Sequence, residues 1–192
     1  MLQRRLDAIA ATADAMAMAM NFTCLIDPDR ELLSIGYSVD QGKLDESCYD
    51  LLASEARLAS FVAIAKGELR TRHWFRLGRT LLPIGGTTVL SSWSGSMFEY
   101  LMPDLVTLTS PESLLGMTTR AAVDAHRRHG AANGVPWGVS ESAFNARDLE
   151  FTYQYSSFGV AELGLKRGLA ESLVIAPYAT ALAAMVEPAA AA

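Results

Sequence analysis

The apolar positions of this chain fall first into a long helical stretch and then into short β-type runs. Residues 2–20 contain strong helix formers throughout and neither proline nor glycine, which predicts a helix whose Ala and Met side chains pack against something larger. Residues 22–26 and 32–39 are β-type runs joined by Asp27-Pro28-Asp29-Arg30, where Pro28 presets the turn dihedral, so a hairpin is expected. A helix over about 49–66 follows, capped by Asp45 or Ser47 and ended by Gly67. Its apolar residues Leu51, Leu52, Leu58, Phe61, Val62 and Ala65 leave little polar face, so it should be buried on most sides.

Residues 73–94 turn aromatic, β-branched and glycine-rich around Pro83-Ile84-Gly85-Gly86, which predicts short strand or extended loop. A helical turn is expected at 97–102 and a second full helix at 111–129, with Pro111 in its first turn and Gly130 at its end. Arg120, Asp124, Arg127 and Arg128 form its polar face. Residues 133–170 read as loop and short strand with frequent glycine, and an irregular stretch of that length points to function. Residues 176–186 begin another buried helix that stops at Glu187-Pro188. No internal repeat or linker interrupts the pattern.

Composition narrows the class. A chain of 192 residues can bury roughly 70% of the surface its unfolded form exposes, enough for one domain or part of one. With 51% hydrophobic and 19% charged residues and a mean hydropathy of +0.18, it suits a domain that packs against more protein. A net charge of -5 excludes a phosphate-backbone partner, so no nucleic acid is expected. Cys24 and Cys48 lack CxxC spacing and read as two reduced thiols, one on a strand and one near a helix start. No apolar run reaches the roughly 18–20 residues that cross a bilayer, and Asp14 interrupts the N-terminal candidate, so the default compartment is the cytoplasm.

The most informative stretch is Gly134-Val-Pro-Trp-Gly-Val-Ser-Glu141-Ser-Ala-Phe-Asn145, a carboxylate in a loop of glycine, tryptophan and small hydroxyl residues. Glu99, within Ser91–Pro103, and Glu55, within Leu51–Ser60, lie in settings nearly as unusual. Cleaving or transferring a glycosidic bond needs one carboxylic acid and one carboxylate on opposite faces of a sugar, and these three glutamates are the candidates. Sugar rings stack on aromatic faces, so Trp93, Tyr100, Trp137, Tyr153 and Tyr155 are candidate subsite walls, with Asn145, Arg147, Asp148 and Gln154 for hydroxyl contacts. Structural alternatives stand beside each. Glu55 could pair with Arg57, Glu99 could bond neighbouring backbone amides, and Trp74, Phe75 and Trp137 could be core.

Other chemistry has less support. His73, His126 and His129 show no metal-ligand spacing, and the last two fit a solvated helix end, so no metal is expected. No GxSxG elbow or Walker lysine is present, and no cofactor is expected.

Five segments carry a family resemblance: 49–61 (YDLLASEARLASF), 73–79 (HWFRLGR), 92–103 (SWSGSMFEYLMP), 134–145 (GVPWGVSESAFN) and 163–168 (LGLKRG). In that order they closely resemble the middle, glucoamylase-like domain of cyclic β-1,2-glucan synthases, over nearly the whole of 1–192. The resemblance implies a mainly α fold, a partial (α/α) barrel or toroid with a small β-hairpin and short strands, incomplete toward its C-terminal side. It implies a β-1,2-glucan chain as partner and anomer-retaining transglycosylation that closes it into a ring, without metal or cofactor. Glu141 would be the nucleophile and Glu55 the general acid/base. Glu99, Trp93, Tyr100, Trp137, Asn145, Arg147, Tyr153 and Gln154 would bind substrate. The parent enzyme would be tethered to the inner membrane and contact this chain through its remaining regions. An inverting β-1,2-glucanase and a non-catalytic β-glucan-binding fragment are the alternatives.

Overall fold

A computed structural model describes all 192 residues. The chain forms two compact units, Met1–Asp50 with Leu58–Leu77, and Leu51–Arg57 with Gly78–Ala192.

The first unit opens with α1 (Leu2–Ala19), the predicted helix, but none of its residues is buried. Residues Phe22–Leu25 form a 3-10 turn capped by the Asn21 side chain. The expected hairpin forms over a shorter span: β1 (Ile26–Asp27) pairs antiparallel with β2 (Leu32–Ser34), Ile26 opposite Leu33. Asp27 Oδ1 accepts the amides of Asp29 and Arg30, each at 2.9 Å, which fixes the turn around Pro28. A small hairpin of β3 (Tyr37–Ser38) and β4 (Lys43–Leu44) follows, and β5 (Cys48–Tyr49) pairs with the free side of β2.

That pairing overturns the helix start expected near residue 49, because Cys48 and Tyr49 give their backbone to the sheet. Instead α2 (Arg57–Ala65) begins after a turn in which Ser54 Oγ accepts the Ala56 amide at 3.1 Å and Ser54 O accepts that of Arg57 at 3.2 Å. A short α3 (Arg72–Arg76) replaces the expected extended stretch and buries His73. The His73 Nδ1–H donates to the Glu31 carbonyl at 2.8 Å, leaving Nε2 to accept from Ser60 Oγ at 2.8 Å. Glu31 takes a left-handed φ of 57° and pairs with Arg72 and Arg76.

In the second unit β6 (Leu81–Ile84) and β7 (Thr87–Leu90) make a hairpin over Gly85-Gly86. Both glycines have positive φ, 58° and 81°, which a two-residue hairpin turn requires. Then come α4 (Met97–Leu101) and α5 (Leu114–Asn133), the latter capped by Ser113 Oγ on the Gly116 amide at 3.1 Å. Gly130 does not end α5 as expected. It lies inside the helix, where a Cβ would meet that of Trp137 at 2.8 Å, and Gly134, at φ 64°, is the C-cap. The predicted irregular region contains the hairpin β8 (Ser142–Arg147) and β9 (Tyr153–Ser156), before α6 (Pro177–Ala183) and α7 (Pro188–Ala191). The core of this unit gathers Val89, Leu90, Met97, Leu101, Val123, Val139 and Leu163, with α5 against β7 and α4, and α4 also against α6.

The mainly α, partial (α/α) barrel is therefore corrected. The chain is 41% helical and 18% strand, the strands in several small sheets. A toroid needs pairs of long helices that each bury a face. Here only α1 and α5 exceed nine residues, and α1 buries nothing. Glycine and serine in 78–96 and 134–170 favour tight hairpins and hydrogen-bonded loops over helix.

Candidate active site

The three glutamates singled out by sequence all belong to the second unit. Its organising segment is the loop before α4, in which Ser91, Ser92, Ser94 and Ser96 are all buried. Polar groups of Ser92, Ser94 and Ser96 converge on Glu99. Its carboxylate accepts Ser92 Oγ at 2.7 Å, the Ser94 amide at 3.0 Å and the Ser96 amide at 3.1 Å, while Ser96 Oγ accepts the Glu99 amide to complete a capping box. Gly95 turns the loop at φ 72°, and a Cβ there would collide with the Val160 carbonyl.

Two further side chains lock this loop. Arg57, buried at the start of α2, donates to the Glu99 carbonyl at 3.2 Å and the Tyr100 carbonyl at 3.0 Å and pairs with Asp104 at 3.2 Å. The ion pair of Arg57 is thus with Asp104. His126, fully buried on α5, stands between two loops: Nε2–H donates to the Gly95 carbonyl at 3.0 Å and Nδ1 accepts the Val139 amide at 3.2 Å. Burial pushes the imidazole down to about 4, so it is the neutral ring that makes both bonds.

Through these bonds the chain is led to Glu141. The Met97 amide donates to the Val139 carbonyl at 3.1 Å and the Phe98 amide to Ser140 Oγ at 3.1 Å. The Tyr178 hydroxyl, from α6, lies 2.9 Å from Ser140 Oγ and donates to the Glu141 carbonyl at 2.8 Å. Glu141 itself is half-buried, and its Oε2 accepts the Tyr155 hydroxyl at 2.5 Å. Tyr155 reaches it because β9 pairs with β8 in a register that sets Tyr155 opposite Ala143. Burial of the hydroxyl end and the adjoining Glu141 carboxylate push this phenol up, holding it as a donor although the residue is 63% exposed.

Glu55 lies in the turn before α2 rather than within a helix, half-buried, with Ser54 Oγ at 3.3 Å from its carboxylate. Burial raises its carboxyl above the ordinary range, and the charges of Glu99 and Glu141 push the same way. Glu55 and Glu141 therefore share one electrostatic environment.

The other sequence candidates divide. Asn145, Arg147, Tyr153 and Gln154 are exposed on the β8–β9 hairpin, with the Arg147 guanidinium 4.3 Å from the Tyr153 ring centre. Trp93 is exposed beside the buried serines. Tyr100 belongs to the core instead of a subsite wall: it is 1% exposed and its hydroxyl donates to the Leu90 carbonyl at 2.9 Å. Trp137 lines a cavity of about 630 Å³ with Asp124, Arg127, Arg128 and Val135, and none of the three glutamates is among its walls. Glu99 fits the structural alternative, its carboxylate occupied by three local donors.

Sequence reasoning missed Tyr178 and Ser140 altogether and set His126 at a solvated helix end. A signal for His126 was present, since Thr119, Ala122, His126 and Gly130 follow one another at helical spacing and all are buried. No group of His, Cys, Asp and Glu could hold a metal ion, and no helix is long and apolar enough to cross a membrane.

A half-buried carboxyl whose charge is disfavoured, sharing its surroundings with a carboxylate held by a phenol, is the donor set of acid–base and nucleophilic chemistry. No family model matches the chain. It is similar to cyclic beta-(1,2)-glucan synthase NdvB of Rhizobium meliloti (strain 1021), at 56% identity over 187 residues, or 97% of this chain. The chain spans about 7% of the length of that relative. Nearly the whole of the chain is thus matched by one segment of that cyclic β-(1,2)-glucan synthase.

Proposed function

We propose that this segment acts on linear β-1,2-glucan and closes it into a ring by anomer-retaining transglycosylation, with Glu141 as nucleophile and Glu55 as general acid/base. Support comes from the relative's name, which states that it makes cyclic β-(1,2)-glucan, and from the unlike settings of the two glutamates. Glu141 attacks the anomeric carbon, and the glycosidic bond breaks as Glu55 gives its proton to the departing oxygen. The 2-hydroxyl at the other end of the bound chain then attacks the glucosyl ester, returns its proton to Glu55, and frees Glu141. No water or oxidant is consumed, and the ring is one water lighter than the corresponding linear chain.

The observation that carries this reading is the raised carboxyl of Glu55, which feels the charge of a Glu141 fixed by Tyr155. An acid near neutral pH must keep its proton, and burial beside two carboxylates favours that. Trp93, Asn145, Arg147, Tyr153 and Gln154 are assigned to substrate contact, their exposure on the loop and hairpin leaving them free to meet sugar rings and hydroxyls. Linear β-1,2-glucan incubated with the protein and with Glu141→Gln tests the assignment. Ring products from the wild type and none from the variant are expected, and equal product patterns would sink it. Binding without turnover by the wild type would favour a β-glucan-binding segment instead.

A further inference from the structure

We propose that Tyr155 is a positioning residue for Glu141: its phenol fixes one carboxylate oxygen, leaving the other to face the substrate. This rests on the reading of Glu141 as nucleophile and extends it to a residue in another strand. The hydroxyl lies 2.5 Å from Oε2, the short separation of a charge-assisted O–H···O⁻ bond. A free carboxylate rotates about its last torsion, and one strong donor on one oxygen removes that freedom. The main chain beneath is fixed separately, by Tyr178 on the Glu141 carbonyl at 2.8 Å. Glu141 is therefore held at its backbone from α6 and at its carboxylate from β9.

The hairpin is built to deliver that phenol. Its tip is tied by Asp148, whose Oδ1 accepts the amides of Glu150 and Thr152, each at 2.9 Å. Between Ala143 and Arg147 the pairing shifts register, while the end next to Glu141 keeps Ala143 opposite Tyr155. The two tyrosines of β9 have different partners, because the Tyr153 hydroxyl bonds Arg147. This gives an internal control on the same strand.

The test is the carboxyl carbon-13 titration of the protein labelled at glutamate, with the Glu141 signal identified by its loss in Glu141→Gln. A donor to the carboxylate favours the ionised form, so its removal in Tyr155→Phe should move the Glu141 midpoint upward. Tyr153→Phe should leave that midpoint in place. Tyr155 is 63% exposed, so loss of its hydroxyl should not unfold the unit, which thermal melting checks. In ring formation, Tyr155→Phe should lower kcat about 10-fold or more with KM little changed, and shift the acidic limb of the pH–rate profile to higher pH. An unmoved Glu141 midpoint in Tyr155→Phe overturns the proposal while the role of Glu141 stands. Undiminished ring formation by Glu141→Gln overturns the nucleophile assignment itself and, with it, the positioning role.

Discussion

Glu99 and Glu141 occupy opposite ends of one hydrogen-bonded framework, and their surroundings could hardly differ more. Glu99 is 7% exposed, and its carboxylate is taken up by a serine hydroxyl and two backbone amides. Glu141 is half-buried, with a single tyrosine donor on one oxygen. A carboxylate whose acceptor capacity is filled by its own loop has nothing left to offer a substrate, so it serves the fold. One held at a single oxygen is oriented and still reactive. Glu55 is a third case, where burial first and the charges of Glu99 and Glu141 after it favour a proton.

The largest expected effect separates the two directly. Glu141→Gln should lower ring formation at least about 10³-fold while leaving the unfolding midpoint within experimental error, because a half-buried group with one exposed donor contributes little to stability. His126 sharpens the contrast by holding the framework between them. His126→Ala strands the Gly95 carbonyl and the Val139 amide in the core and should cost about 2–4 kcal/mol in urea unfolding. The folded imidazole titrates at about 4 against an ordinary value of 6.5, so its contribution is intact above 6.5 and is lost as pH falls toward 4. Unfolding curves at steps through that window should show a loss of stability that shrinks in His126→Gln.

Glu99→Gln is the mirror of the first variant. Placing an amide NH₂ against the Ser94 amide should cost about 1–3 kcal/mol, with activity falling only as far as the loop loosens. The smallest effect has the opposite sign. The Glu55 carboxyl is raised in the folded state, so its charge costs stability once pH exceeds the folded value, whereas below the unfolded value of 4.5 the group is neutral in both states. Glu55→Gln should therefore raise the melting temperature by about a few degrees at pH 7 and by nothing below pH 4.5, while activity drops about 10²-fold or more.

Local signals were read well from the sequence where one segment decides its own structure. The helix of 2–19 carries its propensity within its own residues, and the helix of 114–133, the Asp27 turn and the Met97 helical turn carry their caps within a few residues. The errors came where distant pairing intervenes. Cys48 and Tyr49 become strand because β2 offers a free side, and Gly130 stays helical because Trp137 needs its space. The barrel rests on resemblance alone, and the glycine- and serine-rich stretches 78–96 and 134–170 oppose it locally. Within the site, Glu55, Glu99 and Glu141 stood out by their settings, but their unlike states did not. Those depend on Ser92, Tyr155 and burial, contacts that tertiary structure alone creates. Tyr100 was misplaced for the same reason, since a tyrosine beside a glutamate reads the same whether it faces a sugar or the Leu90 carbonyl.

The most direct test makes the same substitution at both glutamates and records two readouts, the mass spectrum of products from linear β-1,2-glucan and urea unfolding. Glu141→Gln should lose the ring products, one water lighter than linear chains, and keep the wild-type unfolding midpoint. Glu99→Gln should retain ring products and unfold at lower urea. Ring products from Glu141→Gln at the wild-type level would contradict the central claim.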